Sequence, residues 1–434
     1  MEPAVQETER TGRRMFELIE RLYPICRSIT GDGVRETLRV LRERVPIEVH
    51  EVPTGTRVLD WTVPNEWNIR DAYIKDSSGR RVVDFRQSNL HVVSYSIPVR
   101  RRVPIEELKT HLHTLPDRPD WIPYRTSYYS DNWGFCLTHR QYMTLRDEEY
   151  DVAIDSSLEP GSLTYGELFL PGAAHDEVLI SCHICHPSLC NDNLSGISVA
   201  THLAEELMMR ERHYSYRFLF VPGTIGSITW LALNEEKVRR IRHGLVLANL
   251  GDRGPFHYKK SRRGNAEVDR AMAEVLRHSP EGHTIVDFSP YGYDERQYCS
   301  PGFDLPVGCF MRTPEQTRPE YHTSADDLTF VAPESLAASL ENCKSLVSIL
   351  EGNHAYRNTN PKGEPQLGRR GLYRTIGGPD LEAHNMALLW MLNLSDGRHT
   401  ILDVAERSAM PFPVLQKAAA ALAEHGLLVK EPLA

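Results

Sequence analysis

The segment SCHICHPSLCNDNLSG, residues 181–196, concentrates side chains that bind metals. A hydrolase that uses a divalent cation needs imidazole and carboxylate ligands and a coordination position left open for water. His183, His186 and Asp192 supply both ligand types directly after an apolar stretch. The sequence NDNLSG turns the chain before a predicted helix, so the Asp192 carboxylate is expected over the end of a strand, where it can bridge two cations.

Two later positions carry further candidate ligands. Asp252 follows the apolar run LVLANLG, and His322 lies in PEYHTSADDL beside Thr323 and Asp326. Both are far along the chain from the first segment, so the fold must bring them to it before they can share a cation or bind adjoining ones.

The first segment also allows a redox interpretation, because Cys182 and Cys185 have C-x-x-C spacing. A thioredoxin-like motif begins a helix, whereas Pro187 follows here almost at once. Eight scattered cysteines are few for a chain of 434 residues and predict no disulfide framework. The metal interpretation is therefore favoured.

The elements that must position these residues alternate from about residue 160 onward. DEVLISCHI, YSYRFLFVPG and HGLVLANLGD predict buried strands, and GISVATHLAEELMMR and SITWLALNEEKVRRI predict helices. Such alternation is typical of an α/β fold with a mostly parallel sheet and helices on both faces. Ligands bind at the carboxyl ends of the strands in such sheets, which would gather residues 183–192, 223–224 and 251–252 at one edge.

Two further modules flank this sheet. Between residues 60 and 150, polar and apolar residues alternate between turn signals, and four of the six tryptophans lie there, which predicts a separate β-rich domain. The tail predicts a helix, a helix-turn-helix pair and a short strand, the order of a winged helix. The expected divisions are a catalytic domain of residues 1–59 and 151–355, an inserted β-rich domain of 60–150, a linker of 356–383 and a winged-helix domain of 384–434.

Composition argues against several classes of partner. A net charge of −9 gives no reason to expect tight binding of nucleic acid. The second helix of the winged helix, PFPVLQKAAAALAEHG, offers a single lysine, which favours a packing or interaction role. The sequence predicts no transmembrane helix and no secretory signal, so we expect a cytoplasmic protein. Whether it forms homo-oligomers is left open.

Four segments carry a resemblance to a known family: HPSLCNDNLSG, FVPGTIGSITWL, ANLGDRG and EYHTSADDL. Their order and intervals resemble those of co-catalytic zinc aminopeptidases of the leucyl aminopeptidase/glutamate carboxypeptidase type. The chain is more similar still to a bacterial group that combines an aminopeptidase-like domain, an inserted β-rich domain and a C-terminal winged helix. DWTVPNEWNIRDAYI, NLHVVSYSIPV and IPYRTSYY look like the inserted domain of that group.

The resemblance implies a fold, a cofactor and a reaction. The fold is the three-layer α/β sheet of zinc aminopeptidases, also described as phosphorylase/hydrolase-like. The cofactor is zinc, as one or two ions, and the reaction is hydrolysis of a small peptide or aminoacyl amide, in a polysaccharide or secondary-metabolite pathway. Asp192 would bridge the metals, His322 would bind one ion and Asp252 the other, together with His186 or, as the alternative, His183.

One position departs from the pattern that the resemblance implies. Aminopeptidases of this type carry Glu-Glu before x-G-x-x-G-S; the first glutamate is the general base and the second a metal ligand. The more similar bacterial group has threonine at the second position. This chain has Gly223 and Thr224, neither of which can replace a carboxylate. Loss of a general base typically costs a factor of about 10²–10⁴ in rate.

Other residues could compensate for the missing glutamate. The resemblance implies that GYDERQY, residues 292–298, lines the substrate pocket. We predict substrate contacts from Arg296 and Tyr298, with Asp294 and Tyr321 as further binding residues, and Glu295 or Glu320 as the substitute base. In the alternative interpretation, Glu295 and Arg296 only form a supporting ion pair.

The leading hypothesis is thus a metal-dependent amide hydrolase. Its alternative is a catalytically impaired, aminopeptidase-like protein that binds a ligand, which the glycine at position 223 favours and the retained histidines and aspartates oppose. Restoring glutamate at position 223 is expected to raise hydrolysis at least about tenfold if the first hypothesis holds.

Overall fold

The computed structural model describes residues 3–314, 317–373 and 379–431. These residues form two compact units. The first unit contains the residues up to Gly264 together with His283–Glu341, and the second contains Asn265–Gly282 together with the residues from Asn342 onward. Within the described ranges, no helix combines the length and the hydropathy that crossing a bilayer requires.

An eight-stranded mixed sheet forms the centre of the first unit. In spatial order its strands are β1 (Glu48–Pro53), β10 (Ser162–Leu170), β12 (Ser215–Val221), β11 (Glu177–His183), β13 (Ile241–Leu247), β16 (Val307–Met311), β14 (Phe256–Lys259) and β15 (His283–Val286). The four strands from β12 to β16 are parallel. Every residue of β11 and β12 is buried, as expected for continuous apolar runs in the middle of a covered sheet.

Helices connect and cover these strands. They are α1 (Pro3–Leu22), α2 (Asp32–Leu41), α5 (Gly196–Met208), α6 (Ile225–Leu233), α7 (Glu235–Val238) and α9 (Glu295–Tyr298). The helix α10 (Pro333–Gly352) begins in the first unit and ends in the second. The helix α5 packs against β11, β12 and β13, and α1 packs against α5. The predicted alternation of strand and helix is therefore present, in a mixed sheet.

The inserted β-rich module is part of the first unit. It contains β2 (Arg57–Val58), β3 (Trp61–Thr62), β4 (Glu66–Lys75), β5 (Arg81–Asp84), β6 (Val99–Pro104), α3 (Ile105–Leu108), β7 (Leu112–His113), β8 (Phe135–Cys136), α4 (His139–Met143) and β9 (Glu149–Glu159). Its four-stranded antiparallel sheet has the order β5-β4-β9-β6. Because β9 continues to Glu159, the module extends beyond the expected boundary at residue 150.

The described residues of the second unit form a three-stranded sheet and four α-helices that belong to this unit alone. Its elements are α8 (Glu267–Arg277), β17 (Ala355–Asn358), α11 (Pro379–Leu394), β18 (Asp396–Thr400), α12 (Ile401–Ser408), α13 (Phe412–Glu424) and β19 (Leu428–Lys430). The expected linker began at residue 356, but β17 pairs with β18 and β19 and so belongs to this module. Residues 374–378 of the expected linker lie outside the described residues.

A buried ion-pair network ties three strands of the central sheet together. Arg217 on β12 donates two hydrogen bonds to Glu177 on β11, at 2.6 and 2.9 Å, and a third to Glu167 on β10. The three side chains are at most 5% exposed. A buried carboxylate that loses its charged partner is left with an uncompensated desolvation penalty, so removing Arg217 alone is expected to destabilise the sheet.

We therefore expect Arg217→Ala to lower the free energy of unfolding by about 3–5 kcal/mol, measured by urea denaturation. The matched control is Arg242→Ala, which removes an ion pair to Asp176 whose side chains are 58% and 41% exposed. This control is expected to cost no more than about 1 kcal/mol. Equal small losses for the two variants would contradict the prediction.

Candidate metal centre

The carboxylate of Asp192 lies between three imidazole rings. His183 Nε2 is 2.7 Å from Asp192 Oδ1, while His186 Nδ1 and His322 Nε2 are 3.3 and 3.1 Å from Oδ2. Asp192 and His183 are buried, and the His322 side chain is 32% exposed. The structure thus brings together both alternative histidines of the first segment, not one of them, and adds His322 from a distant loop.

This arrangement fits a divalent metal ion by its donors. One ligand atom each from His183, His186 and Asp192 lies within 4.8 Å of the other two. Burial lowers the pKa of His183 and of His322, which keeps their rings in the neutral form that binds metals. For Asp192, burial opposes ionisation, but the surrounding histidines hold the pKa well below its usual value. Imidazole nitrogens with a carboxylate are a donor set that suits zinc.

Local structure holds the Asp192 turn in place. His183 is the last residue of β11, and the turn Cys190–Ser195 leads from the following loop into α5. The carboxylate of Asp326 accepts hydrogen bonds from the backbone N–H groups of Asn191 and Asp192, at 2.6 and 3.0 Å. Asp326 therefore orients the Asp192 carboxylate, but it is not itself one of the candidate metal ligands.

The N-terminal segment supports the loop that carries His186. Arg27 is buried and donates from Nε to the carbonyl oxygen of His186 at 2.8 Å. Ser188, two residues farther on, donates from its hydroxyl to the carbonyl oxygen of Tyr23 at 2.7 Å. The loop after β11 is thus fixed from outside as well as through the cluster.

The inserted module contributes directly to the site. The Tyr124 N–H donates to the carbonyl oxygen of His322 at 2.7 Å, and Ile122 and Ser324 are joined by two further hydrogen bonds. The Tyr124 ring meets the rings of His186 and His322 edge-on, with centroids 5.4 and 5.1 Å apart. Sequence reasoning missed Tyr124; its only signal was the aromatic cluster in IPYRTSYY.

A cavity of about 180 Å³ opens beside the cluster. The cavity is lined by the two positions where the resemblance expects glutamates, Gly223 and Thr224, by the predicted substrate-binding residues Asp294, Arg296 and Tyr321, and by His183 and His186 of the cluster. The remaining lining residues are Cys185, Tyr291, Gly292 and Tyr293. The carboxyl ends of β11 and β12 meet here, as the parallel-sheet rule predicts.

Asp294 and Arg296 each contact a residue at the start of α6. Asp294 is buried, and its Oδ1 accepts a hydrogen bond from the Ser227 hydroxyl at 2.8 Å. Burial raises the pKa of Asp294 to about 7, with a contribution from neighbouring Glu295. Arg296 donates from Nη2 to the Thr224 hydroxyl at 3.3 Å. The cavity therefore offers one carboxyl group and one guanidinium beside the histidines.

The structure corrects three expectations for the neighbouring residues. Tyr298 is fully buried and hydrogen-bonds with the Ser181 hydroxyl at 2.9 Å, so it is a core residue and not a substrate contact. Glu295 is also fully buried, and its ion pair is with Lys259 rather than with Arg296. Glu320 is half-buried and does not line the cavity. The two glutamates are therefore poorly placed to act as the substitute base.

Asp252 lies next to the cluster but is engaged elsewhere. Its Oδ1 accepts hydrogen bonds from Thr313 and from the Gly254 N–H, and its Oδ2 accepts one from the Asn191 side chain at 2.9 Å. The bond from Asn191 makes Asp252 a support of the Asn191–Asp192 turn. In the described part of the chain, the compact group of possible ligand atoms comprises His183, His186 and Asp192 and includes neither Asp252 nor His322, so the role of Asp252 as a metal ligand stays a prediction.

The cysteines of the first segment play no visible redox part. All eight cysteines of the chain are free thiols. Cys182 and Cys185 are buried, and burial raises the pKa of the Cys185 thiol to about 12. A protonated, buried thiol is a poor nucleophile, which agrees with the preference for a metal site.

Comparison with known proteins places this geometry in a wider context. A family model described as a domain of unknown function (DUF4910) matches residues 16–353, and a winged helix-turn-helix model matches residues 354–430. A protein of Clostridium acetobutylicum, named as a candidate polysaccharide biosynthesis protein with an aminopeptidase-like domain, is 49% identical over 425 residues, which cover 98% of both chains.

Solved structures agree with these matches. The crystal structure of a candidate peptidase from Clostridium acetobutylicum has a TM-score of 0.94 at 47% identity and covers 99% of this chain and 98% of that chain. A zinc aminopeptidase from Bacillus subtilis has a TM-score of 0.56 at 13% identity, over 78% of this chain and 95% of that one, which shows a shared fold. The predicted zinc-aminopeptidase-like α/β fold and the C-terminal winged helix are confirmed.

Asp326 supports the metal cluster through the backbone of Asn191 and Asp192. Groups that orient metal ligands typically contribute a factor of about 10–100 to metal affinity. We expect Asp326→Ala to weaken Zn²⁺ binding by that factor, measured by competition with a chromophoric chelator. The control is Asp327→Ala, whose carboxylate binds the N–H and the hydroxyl of Thr329. Equal affinities for the two variants would mean that Asp326 does not orient the ligands.

Proposed function

We propose that this chain, which belongs to the family described as a domain of unknown function (DUF4910), is a zinc-dependent amide hydrolase. The single observation that supports the proposal best is the group of three imidazoles around the Asp192 carboxylate, two of which, His183 and His186, line a cavity together with further polar side chains. The aminopeptidase-like relative and the zinc-aminopeptidase fold agree with this assignment.

We infer that His183, His186, His322 and Asp192 hold one zinc ion. A bound zinc ion supplies Lewis acidity that polarises the scissile carbonyl and lowers the pKa of an attacking water. A second ion would need further ligands, and the nearest candidates are otherwise engaged: Asp252 in the hydrogen bonds of the neighbouring turn and Thr224 in its contact with Arg296.

The substrate proposed for this site is a small peptide or an aminoacyl amide. The residues around the cavity would bind and orient it: Tyr321, which stacks on the His322 ring with centroids 3.8 Å apart, closes one side, and Arg296 supplies a positive charge. Arg296 Nε is buried and makes no hydrogen bond within the described part of the chain. A carboxylate on the substrate would satisfy it.

The name of the Clostridium relative suggests where the reaction belongs. That protein is named as a candidate for polysaccharide biosynthesis. We propose that the amide cleaved here belongs to the same kind of pathway, as an aminoacyl or peptidyl group carried by a biosynthetic intermediate.

Metal analysis and hydrolysis of a panel of aminoacyl-coumarin amides test the proposal together. We expect one zinc per chain, loss of hydrolysis when a chelator removes the metal, and recovery when Zn²⁺ is returned. Two zinc ions per chain would contradict the single-ion assignment and bring Asp252 back as a ligand. A chain that binds no metal would contradict the hydrolase proposal itself.

A second candidate function is a ligand-binding protein without catalysis. The observation that favours it is Gly223, which stands where the resemblance expects a general base. The same panel separates the two functions: a binding protein shifts its melting temperature with amides that it does not cleave, whereas an enzyme releases the coumarin.

The position of Arg296 predicts a substrate preference. A charged hydrogen bond contributes about 1.5–3 kcal/mol, which corresponds to a factor of about 10–100 in binding. We expect Arg296→Gln to raise KM at least about tenfold for amides that carry a carboxylate and to leave KM for neutral amides nearly unchanged. The control is Arg253→Gln, whose side chain is 64% exposed. An equal effect on both kinds of amide would contradict the assigned role.

A further inference from the structure

The glycine at position 223 leaves a space that another carboxyl group faces. A Cβ atom added to Gly223 would lie 3.1 Å from the Cβ of His183 and 3.4 Å from Asp294 Oδ2, with Oδ1 at 3.6 Å. A side chain at position 223 would therefore begin between a metal-binding histidine and the Asp294 carboxyl group. Asp294 reaches this place from the residue immediately before α9, far along the chain.

The surroundings of Asp294 leave one of its oxygens available. Oδ1 accepts a hydrogen bond from the Ser227 hydroxyl, which fixes the orientation of the group. Oδ2 is buried and has no hydrogen-bond partner within the described ranges. A buried carboxyl oxygen without a partner is costly, and this one belongs to a residue that lines the cavity beside His183 and His186.

We propose that Asp294 supplies the carboxylate that position 223 lacks and acts as the general base of the hydrolysis, a role that rests on the proposed function. The other two candidates for the base, Glu295 and Glu320, do not line the cavity, and Glu295 is paired with Lys259.

The proposed step needs no further reactant. As the oxygen of the attacking water bonds to the carbonyl carbon, one of its protons passes to Asp294 Oδ2. When the carbon–nitrogen bond breaks and its electron pair leaves with the nitrogen, the proton passes from Oδ2 to the departing amine. The carboxylate is regenerated, and one water is consumed for each amide cleaved.

With Asp294 as the base, a glutamate at position 223 has a different expected effect on the rate. From the sequence alone, Gly223→Glu restores a missing base and raises the rate. In the structure it places a second carboxylate against the first, and two adjacent carboxylates disfavour each other's ionised form. Gly223→Glu alone is therefore expected not to raise the rate, and only removal of the Asp294 charge makes the new glutamate useful.

Hydrolysis of the aminoacyl-coumarin panel by the zinc-loaded chain tests the catalytic role. We expect Asp294→Asn to lower kcat by a factor of about 10²–10⁴ at unchanged zinc content. The double variant Gly223→Glu/Asp294→Asn is expected to regain at least about tenfold over Asp294→Asn. An unchanged kcat for Asp294→Asn, or a rise in KM alone, would overturn the assignment, the latter in favour of substrate binding.

A second measurement uses the metal-free chain and requires no activity. At pH 8, Gly223→Glu should lower the melting temperature more in the wild-type background than in the Asp294→Asn background, by about 3 °C. Gly223→Gln has the same shape without the charge and should show no such difference. Equal shifts for glutamate in both backgrounds would contradict the placement of Asp294. If Asp294→Asn does not fold, the comparison of Gly223→Glu with Gly223→Gln in the wild-type background still decides: the charged variant must melt lower.

The two measurements separate this assignment from the function on which it rests. A wild-type chain that binds zinc but cleaves none of the amides contradicts the proposed function, and the catalytic role falls with it. An active wild type whose Asp294→Asn variant keeps full kcat contradicts the role of Asp294 alone.

Discussion

The burial of one ionised carboxylate, Asp192, constrains the whole site. An ionised carboxylate removed from water costs several kcal/mol unless partners surround it. Its oxygens face three imidazoles, and its backbone N–H is held by Asp326. These partners come from the end of a central strand, the loop that follows it and a loop some 130 residues later, so no single segment can build the site.

Because these partners lie far apart in the sequence, two other parts of the first unit hold in place the loops that carry His186 and His322. Arg27, in the N-terminal segment, fixes the backbone of His186, and Tyr124, in the inserted module, fixes the backbone of His322. The Tyr124 ring also contacts the rings of His186 and His322 edge-on. The inserted module is therefore a structural part of the site, since its Tyr124 N–H holds the backbone of His322 in place.

The sequence predicts the positions of residues where a general rule of strand geometry fixes them. It does not predict them where long-range packing alone decides. The apolar run of β11 placed His183, His186 and Asp192 at the carboxyl end of that strand, and because parallel strands end at one edge, Gly223 and Thr224 after β12 were expected beside them. Asp252 lies five residues beyond its strand, and nothing local decides whether its carboxylate faces the cluster or the Asn191 turn. Tyr298 lies on a short helix whose buried side has no periodic signal. The position of Tyr124 beside the histidines depends on an antiparallel bridge between Pro123 and Thr323, two hundred residues apart, which no local pattern reveals.

The free-energy cost of the buried charged groups around the cavity indicates whether the chain has retained a chemical function. Replacing buried charged groups with well-packed apolar residues often leaves the stability of a protein unchanged or raises it, so charged groups in a core contribute little to stability. The Asp192 cluster is such a group, and Asp294 adds a buried carboxyl oxygen that has no hydrogen bond within the described residues. Neither arrangement is explained by folding alone. Both are explained if a cation and a substrate complete them, because violations of packing rules in native proteins concentrate at functional sites. The glycine at position 223 then marks a rearranged site, in which the acidic group enters from a different loop.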